Sequence, residues 1–370
     1  MIKKSIIVVT ALMFAGNVLA DGLRETVGKH FLIGTAMNTV QVRSNDPAID
    51  EIVDKHFNAV VAENCMKAEE LQPNEGLFDY RQADRLVEYA QKHNMTLTGH
   101  CLIWHSQAPR WFFKDELGNP CTREVLIGRI QDHIKTVMAH FKGKVKGWDV
   151  VNEAILDDGS YRQSQFYKII GPEFIEIAFR AAMEGDPDAE LYLNDFSMSN
   201  KGKRDKYCEI IRDFKKKGIR IDAIGMQSHN GLDYPDLSEY EKSIDAFAAE
   251  GVKVMMTELD LNVLPNPKEF GGAEISQNFE YQEKYNPYRD GVIPADSLKK
   301  IDNRWMDFWK IYYKHRNQIS RVTVWGVDDG QSWLNNFPVF GRTNYPLLFD
   351  RQKKEKPVVK KIEALFRKKD

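Results

Sequence analysis

Two glutamates carry the strongest chemical suggestion in this chain. Glu153 ends the run Trp148-Asp149-Val150-Val151-Asn152-Glu153, and Glu258 lies in Thr257-Glu258-Leu259-Asp260, directly behind the apolar stretch Val252–Met256. One carboxylate after a buried strand is usually an ion-pair partner. Two brought to one place can divide a reaction, one holding a proton for a leaving oxygen and the other ionised and aimed at carbon. Cleavage of a glycosidic bond with retention uses such a pair, roughly 5–5.5 Å apart. The nucleophile needs a cation or hydrogen-bond donors to stay charged, whereas the acid needs surroundings that keep its proton on. Residue order alone does not say which glutamate is which. Asp260 follows Glu258 by two residues and so shares its side of a strand. His229, if its strand is adjacent, is placed to bridge Asp260 and Glu258, and Asn152 is placed to bond a sugar hydroxyl.

These residues belong to a wider pattern of polar clusters, each set behind a short apolar run. Glu63-Asn64-Cys65-Met66-Lys67 follows one such run, and His100, Trp104, His105 and Gln107 follow the next. Further on come Asn194-Asp195, Gln227-Ser228-His229, and the set Trp325, Asp328 and Trp333. The runs themselves read as buried strands: Phe31–Ala36, Ala59–Ala62, Met95–Gly99, Val145–Val151, Glu190–Leu193, Ala223–Met226, Val252–Met256 and Ser320–Trp325.

Between them apolar residues recur at helical spacing. Examples are Leu86, Val87 and Ala90; Ile130, Ile134, Val137, Met138 and Phe141; Phe174, Ile177, Ala178 and Ala181; and Tyr207, Ile210, Ile211 and Phe214 ahead of a capping Gly218. Strands alternating with helices predict a parallel α/β sheet. Eight strands can close into a (β/α)8 TIM barrel, and a doubly wound open sheet is the other arrangement. Helix caps explain any single polar cluster, but seven clusters behind seven strands meet only if the strands form a ring. In a barrel they meet on the face where active sites sit.

Composition narrows the field. Of 370 residues, 52 are basic and 54 acidic, so no basic footprint marks a nucleic-acid partner. Lys3 and Lys4, the apolar stretch from Ser5 to Ala15, and Val18-Leu19-Ala20 before Asp21 read as an export signal. Residues 1–20 are therefore set aside, leaving 21–370 as one catalytic domain, expected to be a monomer, periplasmic or extracellular. The leader is too short for an ordinary membrane span, and no other stretch is suited to one. Cys65, Cys101, Cys121 and Cys208 lack the close pairing of a zinc site, so neither metal nor cofactor is expected. Export permits disulfides among them, yet a core of this size does not require any. The segment from Leu264 to Leu298, dense in Pro, Asn, Gly and Tyr, breaks the strand–helix rhythm behind the seventh strand. It reads either as a loop on the active-site rim or as a surface insertion without a role.

Several motifs, in order over roughly residues 23 to 365, resemble those of the family 10 glycoside hydrolases, mostly endo-β-1,4-xylanases. They are Glu63-Asn64-x-Met66-Lys67, Gly99-His100-x-x-x-Trp104-His105-Ser106-Gln107, Trp148 to Glu153, Gly225-Met226-Gln227-Ser228-His229, Thr257-Glu258-Leu259-Asp260, and Val324-Trp325-Gly326-Val327 with Ser332-Trp333. The resemblance implies a retaining enzyme on a (β/α)8 barrel, with Glu153 as acid/base and Glu258 as nucleophile. It implies Asn152 and His229 as their close neighbours, and Glu63, Asn64, Lys67, His100, Trp104, Gln107, Trp325 and Trp333 as residues lining the sugar subsites, alongside Gln227 behind the sixth strand. Tryptophan faces suit pyranose rings and the polar groups suit hydroxyls.

Lys67 has the alternative of a simple ion pair with Glu63, and the tryptophans that of core packing. Trp148 reads as core and Asp149 as a structural hydrogen-bonding group. His105, His133, His140 and His315 have no evident partner, and Lys215-Lys216-Lys217 reads as a solvated helix end. Cys65, Ala68, Asn230 and Leu334 depart from the residues frequent in the family, as does the long 264–298 segment, and these departures bear on the outer subsites. The expected function is hydrolysis of internal β-1,4-xylosidic bonds of xylan. A β-1,4-glucanase or mixed-specificity enzyme on the same barrel, and a non-catalytic xylan-binding protein, are the alternatives.

Overall fold

A computed structural model describes residues 21–271 and 274–368. The leader expected at residues 1–20 lies outside them. Eight parallel strands form the centre: β1 (Leu32–Met37), β2 (Ala59–Ala62), β3 (Thr96–Trp104), β4 (Gly147–Asn152), β5 (Glu190–Asp195), β6 (Ala223–Met226), β7 (Lys253–Asn262) and β8 (Ile319–Val324). Each pairs with the next, and β8 returns to β1, so the sheet closes. A three-residue strand, His229–Gly231, adds to β7 at the rim.

The strands alternate with eight longer helices: α1 (Pro47–His56), α2 (Arg81–Lys92), α3 (Arg123–Phe141), α4 (Phe174–Gly185), α5 (Lys201–Lys216), α6 (Leu237–Ala249), α7 (Ala295–Lys314) and α8 (Pro357–Phe366). The ring, rather than an open sheet, is the architecture. Among the described residues no helix is long and apolar enough to cross a membrane.

Local chemistry starts these helices where the chain leaves the barrel. Asp46 caps α1, with Pro47 in its first turn, Thr122 caps α3, and Asp236 caps α6. The apolar faces read from spacing pack inward: the α2, α3 and α5 sets are buried, and in α4 only Ile177 remains partly exposed. Gly218, with a φ of +66°, follows α5 in the left-handed conformation that glycine supplies. Trp148 fills the strand–helix layer as expected. It does so because its β3 partner is Gly99, where a Cβ would come within 2.1 Å of the indole.

The strand boundaries differ from the sequence reading in one informative way. β3 extends past Gly99 to Trp104, and β7 past Met256 to Asn262. Their upper halves carry His100, Glu258 and Asp260, polar residues that look like loop when solvent is assumed outside a strand. Inside a barrel mouth they face the cleft. The register slips there too, between His100 and Ile103, between Asp149 and Val151, and between Met256 and Leu259. Such irregularities re-aim side chains beside active sites.

The four cysteines are buried and unpaired. Of the histidines without an evident partner, His133 meets Gln72, His140 meets Asp84 and His315 meets Glu241 from neighbouring elements, while His105 Nε2 lies 3.2 Å from the adjacent Ser106 Oγ. Asp149 bonds His100 Nδ1 at 2.9 Å.

Candidate active site

Sheet register places the site. β3, β4 and β5 align Trp104 with Asn152 and Asn152 with Asn194. One step higher the ladder continues through Glu153 N to Asn194 O at 2.9 Å, and Glu258 N to Gln227 O at 2.8 Å. Glu153 itself has a φ of +57°, an uncommon left-handed conformation for a residue with a Cβ, and it ends the β4 backbone facing the barrel axis.

One cleft is lined by Glu63, Asn64, Lys67, His100, Trp104, Gln107, Asn152, Glu153, Gln227, His229, Glu258, Trp325 and Trp333. Asp260 stands behind them, fully buried, and reaches the cleft through the groups it holds. Its Oδ2 is 3.0 Å from His229 Nδ1 and accepts from Trp333 Nε1 at 2.8 Å. His229 Nε2 lies 3.2 Å from Glu258 Oε2. The imidazole therefore sits between two carboxylates.

The two glutamates are given opposite settings. At Glu258, burial works against charge, but the hydrogen bond from His229, the His100 and His229 imidazoles and the Asn194 amide outweigh it. The carboxyl is held down at about 2. Asn194 Nδ2 donates to Glu258 Oε1 at 2.8 Å, and its carbonyl accepts from Thr257 Oγ1 at 2.6 Å, which fixes the amide's orientation. His229 is pushed up to about 10: burial opposes its charge, and Asp260 and then Glu258 override burial.

At Glu153 burial prevails, reinforced by the negative charge of Asp195. The donors Gln227 and Trp104 pull the other way without winning, and the carboxyl rises to about 7. Trp104 Nε1 donates to Glu153 Oε2 at 2.8 Å, and Gln227 Nε2 donates to Oε1 at 2.9 Å. Asn152 Oδ1 faces two amide donors, Asn194 at 2.9 Å and Gln227 at 3.3 Å, which leaves its Nδ2 to donate to Glu153 Oε1 at 3.3 Å. Asn152, Asn194 and Gln227 thus form one bridge joining the two carboxyl groups.

The remaining cleft residues divide into floor and wall. Lys67 Nζ donates to Asn64 and Gln107, both at 2.8 Å, so it organises those two amides rather than serving only Glu63. Its ammonium also lies 4.7 Å from the Trp104 ring centre. Trp104 is therefore covered on its face and spends its N–H on Glu153, which suits positioning better than stacking. Trp333 lies parallel to Phe337, with centroids 4.5 Å apart, while Trp325 meets His100 edge-on.

Several participants escaped the sequence reading. Asn194 was visible as a polar residue at the end of the fifth apolar run, but its bond to Glu258 depends on the ring bringing β5 and β7 together on either side of β6. Asp195, buried with Lys203 Nζ at 3.0 Å and Tyr207 Oη at 2.6 Å, acts on Glu153 only through space. Ile275, from the long segment behind β7, also lines the cleft.

The His229 bridge has a measurable consequence. In His229→Asn one of the donors and one of the charges that hold Glu258 ionised are gone, while burial, the Asn194 bond and His100 remain, so the acidic limb of kcat/KM is expected to move up from about 2 toward the ordinary carboxylate value of 4.5. The linked stability moves in two windows. Ionised Glu258 contributes above its ordinary value of 4.5, a contribution lost as pH falls toward 2. Protonated His229 contributes below 6.5, and that is lost as pH rises toward 10. Thermal melts of wild type and variant across pH would show both slopes flattened. An unmoved acidic limb would remove His229 from this role.

The chain matches the Glycosyl hydrolase family 10 profile over residues 22–365. It is 57% identical over 344 residues to an endo-1,4-β-xylanase A of Xylanibacter ruminicola, covering 93% of each chain. It is 37% identical over 350 residues to an endo-1,4-β-xylanase C of Paenibacillus barcinonensis, covering 90% of this chain and 31% of that longer one. A solved GH10 endoxylanase retrieved from a sugarcane soil metagenome superposes with a TM-score of 0.89 at 43% identity, over 93% of this chain and all of that one. The match runs from ahead of β1 into α8, across the whole ring that carries the glutamate pair, and the chain belongs to glycosyl hydrolase family 10.

Proposed function

We propose that this chain is an endo-β-1,4-xylanase that cleaves internal bonds of xylan with retention, using Glu258 as nucleophile and Glu153 as acid/base. The observation that carries the reading is the opposite protonation imposed on two glutamates in one cleft, about 2 at Glu258 and about 7 at Glu153. Near neutrality one is a carboxylate and the other retains a substantial share of its proton.

In the first step a Glu258 oxygen bonds to the anomeric carbon as the carbon–oxygen bond to the departing chain breaks. Glu153 transfers its proton to that oxygen. In the second step Glu153, now ionised, takes a proton from water; the water oxygen bonds to the anomeric carbon and Glu258 is released. Glu153 Oε2 carries one donor, Trp104, which leaves its other lone-pair position for the transferred proton. Asn152, Asn194 and Gln227 keep both carboxyls in register through the exchange. Trp325 and Trp333 offer apolar walls for sugar rings, while Lys67, Asn64, Gln107, His100 and Glu63 supply the hydroxyl-bonding groups. A close wall favours xylose, which lacks the hydroxymethyl group of glucose. The basic-then-apolar leader supports export, and the reading takes the mature protein as a monomer.

Purified protein acting on glucuronoxylan is expected to release mixed-length xylo-oligosaccharides from the earliest times. Fresh reducing ends should appear in the β configuration when followed by proton NMR. Release of the α form first would rule out double displacement. Faster turnover of matched cello-oligosaccharides than of xylo-oligosaccharides would rule out xylan as the preferred substrate.

A further inference from the structure

The long segment behind β7 is tied to its own side of the barrel at both ends. Asn262 Nδ2 donates to Asn266 at 2.9 Å, Arg342 donates to the Pro265 carbonyl at 3.2 Å, and Phe270 packs on the rings of Tyr234 and Phe337. On the return, Phe279 N donates to the Pro338 carbonyl at 2.9 Å.

Between these ties Glu274 reaches the other wall. Its Oε2 accepts from Arg162 Nη1 at 2.6 Å, and Arg162 sits on the loop behind β4, where its Nε donates to the carbonyl of Glu153 at 2.8 Å. β4 and β7 stand three places apart in the ring, so the pair spans the mouth beside the acid. Among the described residues it is the one ion pair that joins the segment to the β4 side. It is also well sheltered, with side chains 12% and 24% exposed.

The neighbours of Glu274 show what the span covers. Ile275 lines the cleft that holds both glutamates, yet it is 42% exposed, an apolar side chain above a polar floor. Phe270 and Gly271 line the adjoining cavity, which meets the first at His229. Residues on the two sides of Glu274 therefore line two adjoining cavities that share His229.

We infer that the Arg162–Glu274 pair bridges the cleft and makes Glu274 and Ile275 determinants of which chains reach the glutamates. Short chains and chain ends pass beneath the bridge, whereas an internal stretch of a long chain enters only when the pair parts. The inference rests on the xylan-hydrolase reading above. Its observable is the ratio of kcat/KM on long-chain xylan to kcat/KM on xylotetraose.

In Glu274→Ala this ratio is expected to rise by roughly threefold or more, the scale of losing one partly sheltered ion pair. Xylotetraose turnover should stay within about twofold of wild type, because Arg162 keeps its bond to the Glu153 carbonyl. Glu274→Gln, which retains a hydrogen-bonding oxygen without the charge, should fall between the two. Early products from long xylan should lengthen in the same order. A ratio that stays put, with both substrates affected alike or not at all, would overturn the bridge while leaving the hydrolase reading intact. A wild-type protein inactive on both substrates would instead overturn the hydrolase reading, and the bridge with it.

Discussion

Glu258→Ala is expected to lose xylan hydrolysis by on the order of 10⁴-fold or more, because no second group stands where the anomeric carbon is attacked. The fold should survive. His229 keeps Asp260 at 3.0 Å, and Asn194 keeps Asn152 at 2.9 Å, so the partners of the lost carboxylate are not left without bonds. Removing the carboxylate also forfeits the interactions that hold it at about 2 and takes a partner from His229 Nε2, so a melting temperature below wild type near neutrality, in a protein that still folds, is the expected accompaniment. Azide should restore turnover of an activated aryl xylobioside. It is small enough to enter the vacated space and would attack from the side Glu258 occupies. The carbon–nitrogen bond then forms as the aryl oxide leaves, and the product is the α-azide. Normal activity in a folded Glu258→Ala protein would refute the assignment outright.

Glu153→Gln is expected to slow xylan hydrolysis by about 10²–10⁴-fold, the usual contribution of a positioned acid/base. The effect should depend on the leaving group. A departing sugar needs the proton, whereas a nitrophenolate leaves without it, so the first step on an activated aryl xylobioside should be far less impaired. The second step still lacks its base, and the accumulating covalent intermediate should lower KM along with kcat. The pH profile separates this role from a structural one. With Glu153 raised to about 7, wild-type kcat/KM should fall as pH rises through that value and the acid loses its proton. Glutamine does not titrate, so this alkaline limb should vanish from the residual activity.

Stability should follow the same proton with the corresponding sign. Glu153 binds a proton more tightly folded than unfolded, so its destabilising effect grows from the ordinary carboxylate value of 4.5 up to about 7. Glu153→Gln should therefore gain in melting temperature, relative to wild type, more at pH 8 than at pH 4. An alkaline limb unchanged by the substitution would assign that limb to another group.

The glutamate pair was legible in the sequence because carboxylates are residue types that buried strands otherwise avoid. Val150-Val151-Asn152-Glu153 and Met255-Met256-Thr257-Glu258 place costly carboxylates next to apolar runs, and that conflict is visible without coordinates. The ring was legible for a related reason, since clusters behind seven strands converge in no other arrangement. Strand ends were harder. The polar upper halves of β3 and β7 resemble loops in any reading that equates polarity with solvent, and only closure of the barrel makes them interior. The role of Trp104 was hidden in the same way. Its type suggests stacking, while its N–H to Glu153 and the Lys67 ammonium over its ring are properties of three neighbouring strands packed together.

Local order of residues, then, determined the strand–helix alternation, the identity of the two carboxylates and the amides beside them. These are encoded in side-chain type and short-range periodicity. Which carboxylate keeps its proton was decided by the tertiary structure. His229 reaches Glu258 from one side of the mouth, and Asp195 acts on Glu153 from another. Electrostatic interactions depend on separation in space and on burial, and neither quantity exists along the chain until the ring has closed. The same holds for the bridge of Arg162 and Glu274, residues 112 positions apart that meet only because β4 and β7 face one cleft.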